Sequence, residues 1–338
     1  MCGIVGIAAR KNVAPLLING LKALEYRGYD SAGLALLTPT GLQRLRTPGK
    51  VRELEALYAA TSIHADTGIA HTRWATHGVP NERNAHPHTS RERVSVVHNG
   101  IIENHESLRD ELTARGYRFD SDTDTEVVAH LIESHLSEGD NLLRAVQRAI
   151  ARFEGAYAIA VVASDAPHEV IGARRGSPMV VGVGEGAQYL ASDIYALLGE
   201  TRRFIYLDDG DLVHLTPDSI SLYDEYGKKV DRPVKEAQFR PDAVERGQYS
   251  HYMLKEIHEQ PQAIADTLEG RLARGHILTE IFGPNARTLL NELKAVQIVS
   301  CGSSNAVART AMTTHGPKDA RVPAWVMPPH SRFGWAPR

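Results

Sequence analysis

The sequence predicts an α+β protein in which two β-sheets pack against each other. An apolar strand opens the chain, helical patterns occupy its middle, and a long series of strand-like runs follows residue 156. Such grouping of strands and helices favours a layered α+β architecture over alternating βαβ units. The composition, with 42% hydrophobic and 23% charged residues, is typical of a globular protein with a substantial core.

Each element follows from the spacing of apolar residues. Strands are predicted at 2–9, 33–37, 67–71 and 94–98, and helices at 13–25, 106–114, 124–136 and 141–153. Asp122 or Thr123 is the predicted N-cap of the third of these helices. Apolar runs separated by Gly, Pro or Asp predict further strands at 156–164, 169–175, 179–184, 188–193, 204–216 and 219–225.

Changes in composition divide the chain into a first domain and three further segments. The first domain is predicted at 2–225, a charged linker at 226–247, a partial second domain at 248–310 and a Pro/Trp-rich tail at 311–338. Helices at 252–274 and 287–293 and a strand at 295–300 are expected in the partial domain. We expect the tail to be disordered, because so short a Pro-rich segment cannot build a core.

Charge, hydropathy and cysteine usage exclude several classes. A net charge of -3 gives no reason to expect nucleic acid or an anionic membrane as a partner. No stretch approaches the roughly 20 apolar residues of a membrane helix, and the N-terminus does not resemble a signal peptide, so we expect a cytoplasmic protein. Two cysteines, Cys2 and Cys301, argue against a disulfide scaffold and a cysteine-built zinc site. Cys301 fits a small buried hydrophobic residue.

Cys2 could become the N-terminal residue, which would give it a reactive group that an internal cysteine lacks. Removal of Met1 would leave a single residue with both a thiol and an α-amine, whose ordinary pKa values are about 8.5 and about 7.7–8.0. Such an amine can serve as the general base for its own thiol. The Met-Cys dipeptide alone is a weak signal, so the prediction depends on other segments.

Five segments supply the missing specificity. They are EYRGYDSAG at 25–33, HTRWATHG at 71–78, NAHPH at 84–88, HNGIIEN at 98–104 and DTDTE at 122–126. Together with CGIVG at 2–6, they resemble the class II glutamine amidotransferases and, within that class, the glutamine–fructose-6-phosphate aminotransferase family. The resemblance extends from Cys2 to about Arg309. It implies the four-layer αββα sandwich of N-terminal-nucleophile hydrolases and a glutaminase activity in the first domain.

The resemblance also implies how the reaction is catalysed. Cys2 would attack the side-chain amide of L-glutamine, with Arg27 and Gly28 beside the nucleophile. The Asn99 side-chain amide and the Gly100 backbone N–H would stabilise the oxyanion. Spacing alone favours another interpretation, because Asn-Gly is the preferred dipeptide of a type I′ hairpin turn.

The charged groups of free glutamine need partners of opposite charge. Arg73 suits the α-carboxylate, Asp124 suits the α-ammonium, and the resemblance adds Thr76 and His77 as donors and Trp74 as a gate on the ammonia route. Without the resemblance, Arg73 and Asp124 fit a surface ion pair and a plain N-cap. His86 and His88 have no further ligand cluster beside them, so neither a metal nor another cofactor is expected.

The resembling family transfers the ammonia to fructose 6-phosphate in a sugar-isomerase domain, through which its members form homodimers. Here only 248–310 matches that domain, and Cys301, Gly302, Ser303 and Ser304 would begin its sugar-phosphate site. The family's phosphate loop, Ser-Gln-Ser-Gly-Glu-Thr, is missing from the sequence. We therefore expect a truncated or frame-shifted product that hydrolyses glutamine without completing sugar amination. A non-catalytic glutamine-binding remnant and a self-processing peptidase remain as alternatives.

Overall fold

The computed structural model describes residues 2–25, 30–74, 81–237 and 249–268, with short pieces at 272–273, 276–277, 296–299 and 324–327 and single residues at 286, 288 and 292. The chain divides into two compact units, Met1–Glu245 and Arg246–Arg338, and each is described by itself. Within the described ranges, every helix is too short or too polar to cross a membrane.

Strands and helices of the first unit occur in the following order: β1 Gly3–Ala9, α1 Ala14–Leu24, β2 Ser31–Thr38, β3 Gly41–Pro48, α2 Val51–Ala59, β4 Thr67–Arg73, β5 His88–Ser90, β6 Val94–Ile102, α3 His105–Ala114, α4 Glu126–Ser137, α5 Leu142–Ile150, β7 Gly155–Ala163, β8 Ala166–Arg175, β9 Val180–Val183, β10 Ala187–Ala191, β11 Arg203–Tyr206, β12 Leu212–Thr216, β13 Ser219–Tyr223, β14 Lys229–Val230 and β15 Val234–Glu236. A 3-10 turn, Ile194–Ala196, precedes β11.

These strands form two antiparallel sheets. The first sheet has the order β15-β11-β9-β10-β1-β4-β2-β3, and the second has the order β14-β13-β12-β8-β7-β6-β5. Strand β1 lies at the centre of the first sheet, where Ile4 pairs with His71 of β4. Strand β6 pairs along its whole length with β7 in the second sheet. Because β1 pairs with β10 on one side and with β4 on the other, hydrogen bonds hold both edges of the N-terminal strand.

Apolar side chains fill three layers of the first unit. Helices α1 and α2 cover the outer face of the first sheet with Leu17, Leu21 and Leu54. A middle layer between the sheets includes Ile4 and Val97. Helices α3, α4 and α5 cover the outer face of the second sheet through a third cluster. The resulting order of helices, sheet, sheet and helices confirms the four-layer α+β sandwich.

Most predicted elements of the first unit are present, with ends shifted by a few residues. Strands β3 and β5 and helix α2 were not predicted, and the run at 204–216 forms two strands, β11 and β12. The predicted N-cap of α4 is wrong, because Thr125 occupies that position, without a side-chain cap bond. Backbone N–H groups of the preceding turn, at Asp120 and Ser121, instead donate to the carboxylate of Glu126.

Two short strands lie within the linker predicted at 226–247, whose boundaries stay a prediction. Strand β14 adds to the second sheet through β13, and β15 adds to the first sheet through β11. All three residues of β15 are exposed. Because edge strands face solvent, their charged sequence resembles that of a loop.

Described residues of the second unit form one helix and two small sheets. Helix α6 covers Tyr252–Leu268, β16 Leu272–Ala273 pairs with β17 His276–Ile277, and β18 Val296–Val299 pairs in parallel with β19 Ala324–Met327. The helix predicted at 252–274 therefore ends early. Within the tail predicted at 311–338, the structure describes only β19, where an apolar run forms a short strand. The disorder of the tail stays a prediction.

Candidate active site between the sheets

The alternation of side chains along β1 and β4 directs two predicted site residues into the space between the sheets. Ile4 in β1 and Ile69 in β4 both face this middle layer. Cys2 lies two residues before Ile4, and Arg73 lies four residues after Ile69. Because side chains of a strand alternate with a period of two, Cys2 and Arg73 point into the same layer.

A cavity of about 330 Å³ opens where these residues meet. This volume lies at the lower end of the range for small-molecule sites, roughly 300–1,000 Å³. Its lining includes the following predicted site residues: Cys2, Arg73, Trp74, Asn99, Gly100 and Asp124. The fold therefore gathers, around one cavity, side chains that are far apart in the sequence.

Cys2 is partly buried, and its sulfur contacts the backbone of Trp74. The Trp74 N–H donates to the sulfur at 3.2 Å, and the thiol lies 3.5 Å from the Trp74 carbonyl oxygen. Burial raises the pKa of the Cys2 thiol, and the hydrogen bond from Trp74 opposes this rise only in part. Cys2 is therefore a protonated thiol at neutral pH and needs a base to become a nucleophile.

The raised pKa predicts that Cys2 is alkylated slowly at neutral pH. Because the thiolate is the reacting form, the rate constant with iodoacetamide should rise about tenfold per pH unit until the pH passes the pKa. Mass spectrometry of the N-terminal peptide would give the rate at each pH. A synthetic peptide with the same N-terminal sequence as the purified protein is the control. Its alkylation rate should reach its plateau at a lower pH than that of the protein. A protein profile at lower pH than that of the peptide would contradict the buried thiol.

Asn99 and Gly100 lie within β6, so the predicted type I′ hairpin turn is wrong. Pairing with β7 overrides the local preference for a turn. The Asn99 amide donates from Nδ2 to the Cys2 carbonyl oxygen at 3.1 Å, which places its NH₂ group beside Cys2. Gly100 has a φ of 134°, and a Cβ atom there would lie 2.0 Å from the Ala156 carbonyl oxygen. Only glycine fits this backbone position.

Arg73 and Asp124 provide opposite charges in the same cavity. Their exposed fractions are only 3% and 5%, so the alternative of a surface ion pair is wrong. Asp124 is also not the N-cap of α4, since Thr125 occupies that position. The Ile102 N–H donates to Oδ2 of Asp124 at 2.8 Å and fixes the carboxylate. A ligand with one anionic and one cationic group matches this arrangement.

The roles of the remaining predicted site residues stay predictions. Trp74 follows β4 and lines the cavity with 52% of its surface exposed, and its role as an ammonia gate stays a prediction. The following residues lie outside the described ranges: Arg27, Gly28, Thr76, His77, Cys301, Gly302, Ser303 and Ser304. Their roles also stay predictions.

The cavity is also lined by residues to which sequence analysis gave no role in glutamine binding or catalysis: His86, His98, Ile101, Thr123, Thr125, Ser177 and Pro178. Thr125 connects two of them, because its hydroxyl lies 3.0 Å from Nε2 of His86 and 2.9 Å from Nδ1 of His98. The segments NAHPH, HNGIIEN and DTDTE contain the histidines and threonines, so membership of a recognised segment was the available signal. Ser177 and Pro178 lie between β8 and β9 and had no comparable signal.

His86 and His88, the pair that a metal site would need, bind threonine hydroxyls instead. Nε2 of His88 lies 3.0 Å from the Thr123 hydroxyl. Burial lowers the pKa of His86, His88 and His98, so these rings are neutral and are weak bases at neutral pH. Among the residues that the structure describes, no group of three or more His, Cys, Asp or Glu could hold a metal ion.

Comparison with known proteins relates this arrangement to glutamine chemistry. Residues 71–199 match the model of a glutamine amidotransferase domain. Glutamine–fructose-6-phosphate aminotransferases [isomerizing] of Yersinia pestis and Escherichia coli K12 are 54% and 52% identical over 305 residues, which are 90% of this chain and 50% of each relative. The relative from Pseudomonas putida is 52% identical over the same shares. The chain thus spans about half the length of the curated relatives it matches.

Solved structures show the same fold. An allosteric regulatory enzyme of purine biosynthesis has a TM-score of 0.58 and 25% identity, over 66% of this chain and 49% of its own. A glutamine phosphoribosylpyrophosphate amidotransferase from B. subtilis, complexed with ADP and GMP, has a TM-score of 0.56 and 20% identity, over 96% of this chain and 65% of its own.

Proposed function

We propose that this chain, which belongs to the class II glutamine amidotransferases, hydrolyses L-glutamine to glutamate and ammonia through a thioester on Cys2. One observation carries the proposal. A partly buried thiol, a side-chain amide beside it and two opposite buried charges line a single cavity, at Cys2, Asn99, Arg73 and Asp124. Free glutamine has the amide, carboxylate and ammonium groups that correspond to these residues.

In the proposed first step, the sulfur of Cys2 forms a bond to the side-chain carbonyl carbon of glutamine. The thiol proton passes to a base and then to the leaving nitrogen, the C–N bond breaks, and ammonia departs. Water next attacks the γ-glutamyl thioester, which releases glutamate and restores the thiol. Both steps would pass through a tetrahedral oxyanion, which Asn99 Nδ2 and the Gly100 N–H would stabilise.

The base in this proposal is the α-amine of Cys2 itself, which requires Cys2 to be the first residue of the mature protein. The raised pKa of the thiol makes a base necessary. Histidines of the cavity are poor candidates, since burial lowers the pKa of His86 and His98. An α-amine, with an ordinary pKa of about 7.7–8.0, suits the task. Arg27 and Gly28 would hold this terminus.

Substrate binding would depend on charge at both ends of glutamine. Arg73 would bind the α-carboxylate, with Thr76 and His77 as additional donors, and Asp124 would bind the α-ammonium. The hydrogen bond from the Ile102 N–H to Oδ2 of Asp124 would hold the carboxylate in position for the ligand.

The second half-reaction is a further part of the proposal. Since the relatives are about twice as long, amination of fructose 6-phosphate would require residues beyond these 338. The segment from Cys301 to Ser304 would contribute to the sugar-phosphate site, and Trp74 would control the passage of ammonia. We expect the isolated chain to release ammonia and to form no glucosamine 6-phosphate.

The intact mass of the purified chain after treatment with 6-diazo-5-oxo-norleucine, a glutamine-like electrophile, tests the proposal. The expected product lacks Met1 and carries one label on Cys2, and glutamine should protect it from labelling. A chain that retains Met1, or a label elsewhere, would refute the mechanism. A chain that binds glutamine but neither hydrolyses it nor reacts would support a non-catalytic glutamine-binding protein.

Replacing Asp124 with asparagine is expected to raise the KM for glutamine roughly tenfold to hundredfold with little change in kcat. A hydrogen bond to a charged group contributes about 1.5–3 kcal/mol, and the α-ammonium is bound equally in the ground and transition states. Steady-state glutaminase kinetics would measure both constants.

Asp122→Asn is the matched control for Asp124. Asp122 has a side chain that is 51% exposed and pairs with Arg83. It does not line the cavity. Its replacement should leave KM unchanged. An equal rise in KM for both variants would contradict the assignment of Asp124 to the ammonium.

A further inference from the structure

His71 and Asn99 connect the two sheets directly behind the cavity. His71 belongs to β4 in the first sheet and is fully buried, whereas Asn99 belongs to β6 in the second sheet. Nε2 of His71 lies 3.0 Å from Oδ1 of Asn99 and 3.1 Å from the backbone carbonyl oxygen of His98. One imidazole nitrogen therefore contacts two oxygens of the opposite sheet.

The contact with His98 determines which groups donate and accept. A backbone carbonyl oxygen only accepts, so Nε2 of His71 must carry a proton and donate it. The Asn99 atom beside this N–H must then be its oxygen, because an NH₂ group there would oppose another donor. The NH₂ group consequently faces the other way and donates to the carbonyl oxygen of Cys2.

The surroundings of His71 maintain this tautomer. The ring centroid of His86 lies 4.2 Å away, and burial lowers the pKa of His71 to about 3. His71 is therefore neutral at any pH at which the protein would be assayed. Within the described part of the chain, no hydrogen-bond acceptor lies at Nδ1 of His71 that would favour a proton on that nitrogen.

We propose that His71 is a positioning residue that fixes the Asn99 amide with its NH₂ group towards the reacting carbonyl. The inference rests on the proposed function, in which Asn99 stabilises the oxyanion. An amide rotated by half a turn would present its oxygen to the developing negative charge and repel it. Because both orientations have nearly the same shape, packing alone does not select between them. The N–H of His71 selects the observed one at the amide oxygen, and the Cys2 carbonyl oxygen supports it at the NH₂ group.

Two replacements of His71 separate this role from a packing role. The amide nitrogen of glutamine reaches as far along the side chain as Nε2 of histidine, whereas that of asparagine reaches only the Nδ1 position. We expect His71→Asn to lower kcat for glutamine hydrolysis roughly tenfold to hundredfold, with KM changed less than about threefold. His71→Gln should restore kcat to within about threefold of the parent. Equal losses in the two variants, or no loss in His71→Asn, would overturn the inference.

A double-mutant comparison adds a test that a purely structural role would fail. If His71 acts through Asn99, His71→Asn should lower kcat in the parent but by less than about threefold in an Asn99→Ala background. The same loss in both backgrounds would overturn the positioning role. An Asn99→Ala variant with parental kcat would instead refute the oxyanion role in the proposed function, so the two failures are distinguishable.

Nuclear magnetic resonance of the unaltered protein covers the case in which the variants do not fold. With ¹⁵N-labelled histidine, the His71 ring should show a protonated Nε2 and an unprotonated Nδ1 from about pH 5 to 8, since this range lies above its lowered pKa. Its Nε2 proton should show close contact with the Asn99 side chain. A proton on Nδ1, or titration within this range, would overturn the proposal.

Discussion

Replacing Cys2 with alanine is expected to lower the kcat for glutamine hydrolysis by about 10⁴-fold or more, because the proposed mechanism requires the Cys2 sulfur to form the thioester. Losses of this size accompany removal of the nucleophile in other covalent hydrolases. Alanine keeps a small side chain at this partly buried position, so the fold should persist. Glutamate release, followed over hours at high enzyme concentration, would measure the residual rate.

Cys301→Ala is the control for the thiol, since Cys301 is the other cysteine of the chain. It should hydrolyse glutamine like the parent and still accept one label from 6-diazo-5-oxo-norleucine, whereas Cys2→Ala should accept none. Glutamate release by Cys2→Ala at the parental rate would refute a mechanism that passes through a Cys2 thioester. Loss of activity in Cys301→Ala but not in Cys2→Ala would indicate that Cys301, in the second unit, is the nucleophile.

Long apolar elements could be predicted from the sequence because their period is set locally. Strand β1 is buried along its whole length, and α1 buries Leu17, Leu21 and Leu24 with helical spacing. Strand β3 and helix α2 lacked such a signal. Strand β3 lies at the edge of the first sheet with no residue fully buried, and α2 buries only Val51 and Leu54. Their contribution depends on neighbours that sequence spacing does not reveal.

The candidate site, like the fold, was predictable from the sequence only in part. Recognised segments identified Cys2, Arg73, Asn99 and Asp124, and the structure places them at one cavity. The arrangement around them was not predictable, because it depends on how one sheet lies on the other. The hydrogen bond from His71 to Asn99 joins residues 28 positions apart across two sheets. In the sequence alone, a polar residue such as His71 only interrupts the apolar pattern of a predicted strand. Its role becomes visible when the structure shows its hydrogen-bond partner in the other sheet.

Replacing Asn99 with alanine is expected to lower kcat about 10²–10³-fold, with KM nearly unchanged. In the proposed mechanism the amide donates to the charge that develops in the transition state, so its loss should affect the chemical step more than ground-state binding. Asn99→Asp provides a second variant of nearly the same shape. It replaces the donor with a carboxylate that repels the oxyanion, so its kcat should be no higher than that of Asn99→Ala. Initial rates of glutamate release would give these values.

Asn104→Ala is the matched control for the loss of a hydrogen-bonded amide. The Asn104 amide donates to the Arg152 carbonyl oxygen at 2.8 Å, and its oxygen accepts from the Glu154 N–H at 3.1 Å. Because Asn104 does not line the cavity, its replacement should lower thermal stability and leave kcat unchanged. If Asn99→Asp were as active as the parent, hydrogen-bond donation by Asn99 would not be needed. The Gly100 N–H would then have to stabilise the oxyanion without it, and the contact from His71 would have no catalytic consequence.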